Sequence, residues 1–75
     1  MTPEQCREAR WLLGWTEQQL ANAAGCANQT VLNVEAGRSR PMISTQTALR
    51  TALEAAGVEF TNGDAPGVRL RSSTG

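Results

Sequence analysis

Glycine falls where each of four helix-sized stretches should stop, at Gly14, Gly25, Gly37 and Gly57. Between those stops there is room only for short helices joined by tight turns, and this predicts a mainly α fold. The helix starts are marked too. Thr2, Pro3 and Gln5 make a Thr-x-x-Gln capping box with proline at the first helical position. Thr16 and Gln19 repeat the box, and Trp15, just before the cap, can staple onto Leu20. A third helix is expected from about Asn28 to Ala36, and a fourth opened by Ser44.

Each stretch carries apolar residues at helical spacing. The first has Cys6, Ala9, Leu12 and Leu13; the second has Leu20, Ala21, Ala23 and Ala24. Val31 and Val34 mark the inward side of the third, with Asn28, Gln29, Leu32 and Asn33 on the other side. The fourth has the longest stripe: Ala48, Leu49, Ala52, Leu53 and Ala56. Trp11 shares a face with Glu4, Arg7 and Glu8, away from the core stripe, which suggests packing under the C-terminal segment or at a subunit contact.

After Gly57 the period changes from helical to two. Val58 and Phe60 alternate with Glu59 and Thr61, and Val68 and Leu70 alternate with Arg69 and Arg71. Asn62-Gly63-Asp64 and Pro66-Gly67 lie between them, so a short β-hairpin or strand pair is expected. The expected organisation is a helical unit over 1–57, strands over 58–71 and a frayed tail over 72–75. A lone hairpin is marginal in water. The apolar face made by Val58, Phe60, Val68 and Leu70 therefore needs cover, partly from the fourth helix and partly from a second copy of the chain. A homodimer is the expectation.

Composition excludes several function classes. Seven Arg, with no Lys, balance seven Asp plus Glu, which argues against a non-specific polyanion binder. Placement matters more than the total: Arg38 and Arg40 lie two apart in a segment free of acids. There is no His and no Cys-x-x-Cys pair, and Cys6 and Cys26 sit at ordinary helical positions. Neither a metal site nor a disulfide framework is expected. Without His, paired carboxylates in a cleft or a glycine-rich phosphate loop, neither an enzyme nor a cofactor is expected. No apolar run approaches the ~20 residues of a membrane span, and the N-terminus lacks the pattern of a signal peptide. A cytoplasmic setting without membrane partners is the expectation.

Helix, tight turn at Gly25, then a second short helix is the order of a helix-turn-helix motif, whose second helix enters the major groove of DNA. Asn and Gln can pair with adenine N6 and N7, and Leu can meet a thymine methyl. Asn28, Gln29, Leu32 and Asn33 are therefore the candidate base contacts.

Arg10, Gly14-Trp15-Thr16, Leu20-Ala21, Ala24-Gly25, Val31, Val34-Glu35 and Gly37 resemble the lambda-repressor-like helix-turn-helix family of phage repressors, Cro proteins and Xre-type regulators. The resemblance covers roughly residues 6–57, and the C-terminal segment looks like the tail of many small Xre-type regulators. It implies base contacts from Asn28, Gln29 and Asn33. It implies phosphate contacts from Thr16, Arg38 and Arg40, a role for Thr30 in supporting the turn or touching phosphate, and an internal salt bridge between Arg10 and Glu35. Two positions depart from the family pattern. Glu17 replaces the usual Gln after the cap of the second helix; a carboxylate suits a helix N-terminus but repels a phosphate placed there. Ala27 replaces the usual Ser or Thr before the third helix, which leaves Asn28 as the candidate cap.

The expected function is sequence-specific binding of a double-stranded DNA operator by a repressor or autoregulator. The alternative is a protein-interaction module of the same fold, such as an antitoxin-like or adaptor protein with a protein partner.

Overall fold

The computed structural model describes residues 1–38, 42–61 and 67–71. Four helices come first: α1 (Pro3–Leu12), α2 (Glu17–Ala24), α3 (Asn28–Ala36) and α4 (Ile43–Ala55). Strands β1 (Val58–Thr61) and β2 (Gly67–Leu70) follow and pair antiparallel, with Val58 opposite Leu70 and Phe60 opposite Val68. The fold is thus mainly helical with a two-stranded antiparallel sheet at its C-terminal end. Among the described residues no helix is long and apolar enough to cross a membrane.

Local chemistry accounts for the helix boundaries. Thr2 Oγ1 accepts from the Gln5 N–H at 3.0 Å, and Gln5 Oε1 accepts from the Thr2 N–H at 2.8 Å. Thr16 and Gln19 close the same reciprocal pair at 3.1 and 2.7 Å. Trp15 packs on the core cluster that contains Leu20, as a staple should. α2 stops because Gly25 takes a left-handed conformation, φ +72°. The Cys26 N–H then folds back onto the Ala21 carbonyl at 3.0 Å. α4 begins at Ile43, one residue before the expected opening, and Ser44 lies inside its first turn. Its cap residue is Met42, whose side chain has no oxygen to accept a first-turn N–H.

The core lies where the four helices and β1 meet. Cys6 and Ala9 of α1, Leu20 and Ala21 of α2, Val31 and Val34 of α3, Leu49 and Leu53 of α4, and Val58 are all buried. Leu13, Trp15, Ala52, Phe60 and Val68 close around them.

Three expected core positions, Leu12, Ala23 and Ala56, are exposed. Leu12 is 42% exposed. The buried face of α1 runs through Gln5, Cys6, Ala9 and Arg10, and Leu12 sits about 90° round the axis from its centre. Trp11, nearly opposite that face, is 61% exposed and lies 5.7 Å from the Arg7 guanidinium. Ala23 and Ala56 are also exposed, because α2 and α4 bury only narrow stripes at their C-terminal ends.

The hairpin lies on the chain's own helices. Val58, expected at a subunit contact, is 1% exposed, and Phe60 and Val68 pack against the core. Leu70, at 48% exposure, is the member of that set left largely outward. Gln5 ties the hairpin down: after closing its capping box, its Nε2 donates to the Gly67 carbonyl at 3.1 Å and the Thr61 carbonyl at 3.4 Å. The turn expected over residues 62–66 and the tail over 72–75 lie outside the described residues.

Candidate functional site

The two short helices joined at Gly25 present the candidate surface. α2 enters it through Thr16, whose hydroxyl is occupied as an N-cap. The three residues Gly25, Cys26 and Ala27 turn the chain into α3. Ala27 is the N-cap of α3 and supplies no side-chain hydrogen bond. Asn28 is therefore the first helical residue, and the cap expected of it does not form. Among the described residues its amide makes no bond to the backbone.

α3 sends Val31, Val34 and Glu35 inward. Gln29 is exposed, and Asn28, Thr30, Leu32 and Asn33 are half-buried. Gln29 Nε2 donates to Asn33 Oδ1 at 3.1 Å, one turn along the same face. At the far end Gly37 takes φ +68°, and the Arg38 N–H returns to the Asn33 carbonyl at 3.1 Å. This turn fixes where the exposed Arg38 leaves the helix. Arg40 lies outside the described residues.

Electrostatically, residues 18–34 carry no charged side chain. Glu35 is the sole charge within α3, and it faces inward. Arg10 meets it in a bidentate pair: Nε to Oε2 at 2.8 Å and Nη2 to Oε1 at 2.9 Å. The remaining nitrogen, Nη1, donates to the Trp15 carbonyl at 3.0 Å and lies 3.8 Å from Glu17 Oε1. One guanidinium thus joins α1, the loop before α2, the first turn of α2, and α3. Hydrogen bonding to Glu35 raises the Arg10 pKa further, so the cation is permanent. The Cys6 thiol lies 3.9 Å from Glu35 Oε2. Burial, with Glu35 beside it, pushes that thiol up to about 12. It is a neutral packing group at ordinary pH. Cys26, half-buried in the turn, is also pushed up by burial.

The structure thus brings Asn28, Gln29, Thr30, Leu32 and Asn33 onto one short helix with Arg38 at its end. Thr16 stands at the start of the neighbouring helix, and Arg10–Glu35 lies beneath. Sequence reasoning missed the Gln29–Asn33 bond, although amides four apart on one helix are its signal. It also missed Glu17 as a third partner of the buried pair. The chain matches no protein-family model and no curated protein.

Proposed function

We propose that the chain binds double-stranded DNA sequence-specifically, with the outward face of α3 in the major groove, in the manner of a helix-turn-helix regulator. The observation that carries this reading is the row of uncharged amides on α3, braced from behind by Arg10–Glu35 and flanked by the exposed Arg38. Amides and a leucine suit base edges, and a cation at the helix end suits a phosphate. Thr16 and Thr30 are proposed for phosphate contact beside it, and Arg40 joins Arg38 in sequence. The proposed setting is a repressor or autoregulator acting as a homodimer, since a two-fold pair sets two reading helices ~34–36 Å apart. The outward Leu70 is the part of the hairpin that remains for such a contact.

Met42 and Ile43, 74% and 85% exposed at the start of α4, favour the second reading, a module that binds a protein partner. Selection from a random duplex pool at two salt concentrations separates the two. Enrichment of a palindrome supports DNA reading. Absence of any enriched sequence at low salt contradicts it and favours the protein partner.

A further inference from the structure

We infer that Gln29 and Asn33 read DNA as one coupled unit, so that the side chain at 29 sets which base edge Asn33 recognises. This rests on the DNA reading above and adds a specificity rule to it. Gln29 Nε2 donates to Asn33 Oδ1 at 3.1 Å on the exposed side of α3. A carboxamide has an acceptor oxygen with two lone pairs and a donor nitrogen with two hydrogens. With one Nε2 hydrogen of Gln29 and one Oδ1 lone pair of Asn33 engaged on each other, the Gln29 oxygen and the Asn33 nitrogen are the atoms left wholly uncommitted among the described residues. The pair therefore offers an acceptor at 29 and a donor at 33.

Positions four apart on a helix are about 6 Å apart along its axis, and stacked base pairs are about 3.4 Å apart. The two free atoms thus reach base pairs within about two steps of each other. The acceptor at 29 fits adenine N6 or cytosine N4, and the donor at 33 fits N7 and O6 of guanine, N7 of adenine or O4 of thymine. The bond fixes how the two amides are turned, and that orientation decides which base edges the pair favours.

The test uses the full chain and the duplex it enriches most strongly, with all base-pair substitutions at the contacted positions. Gln29→Glu places an acceptor-only group at 29. It can hold Asn33 only through the Asn33 nitrogen, which turns Asn33 Oδ1 outward. The expected result is a switch at the base pair facing Asn33, from acceptor edges to adenine N6 or cytosine N4, by about tenfold. Gln29→Ala should flatten preference at both base pairs, and Gln29→Ala with Asn33→Ala should lose less than the product of the two single losses. If Gln29→Glu leaves the preference opposite Asn33 unchanged and the single losses multiply, the coupling is overturned and the DNA reading stands. If the unaltered chain enriches no sequence, the DNA reading falls and the coupling with it. Gln29 is exposed, so helix content by circular dichroism should be the same in each variant.

Discussion

Arg10 is the side chain on which the arrangement of the helices depends most. Its guanidinium makes both bonds to Glu35 and one to the Trp15 carbonyl with almost no access to water. Removing one partner of such a pair strands the other charge, which costs ~3–5 kcal/mol. Arg10→Ala and Glu35→Ala should each lower the urea midpoint by that equivalent, and the double variant should lose less than the sum of the two. An unchanged midpoint in Arg10→Ala would mean that the pair adds nothing to stability. Cys6 yields a pH prediction with an unusually clean background, because the chain has neither Lys nor Tyr. The folded thiol is held up to about 12 while the unfolded one ionises near its ordinary value. The folded state then keeps a proton that the unfolded state has released. Stability is full below about pH 9 and falls as pH rises toward 12, with Cys26 adding in the same direction. Chemical denaturation from pH 8 to 11 should show this decline in the parent chain, and Cys6→Ala should flatten it. An equal decline in Cys6→Ala would show that another group is responsible.

The helix boundaries were legible where a local rule governs them: both Thr-x-x-Gln boxes close, and Gly25 and Gly37 stop their helices. The buried face of α1 was not, because it includes two polar residues. An apolar stripe points to Leu12, whereas burial centres between Gln5 and Arg10, each satisfied by a partner distant in sequence. The Arg10–Glu35 pair was reached through family resemblance rather than spacing, since 25 residues separate its members. The Gln5 bond to the hairpin crosses 62 residues, and nothing local announces it. At the scale of the α2–α3 pair, the charges at its two ends give a further prediction. Glu17 suits the positive end of α2 and leans toward Arg10 at 3.8 Å, but its side chain stays partly exposed beside the proposed phosphate path. Glu17→Gln should tighten DNA binding, most at low salt where screening is weakest. Arg38→Ala should weaken binding to all sequences alike and lower the salt slope by about one. Tighter binding from Arg38→Ala, or weaker binding from Glu17→Gln, would exclude this placement of the duplex.

The whole molecule depends on its hairpin more than a strand pair at a chain end suggests. Val58 completes the helical core, Val68 and Phe60 close over it, and Gln5 pins the strands to α1. Truncation after Thr61 should therefore destabilise the four helices as well as change any association. The expected result is a lower thermal midpoint by circular dichroism, and an unchanged midpoint would mean that β2 adds no cover to the core. Sedimentation of the full chain tests the proposed homodimer separately, and a monomer at micromolar concentration would contradict it. The central claim, that α3 meets DNA, is tested most directly by backbone amide shifts on adding a short duplex at low salt. The largest changes should fall on residues 28–33 and Arg38, with smaller ones at the start of α2 and little effect on β1 and β2. Largest changes at Trp11 and Leu12 or at Met42 and Ile43, with α3 silent, would contradict the account.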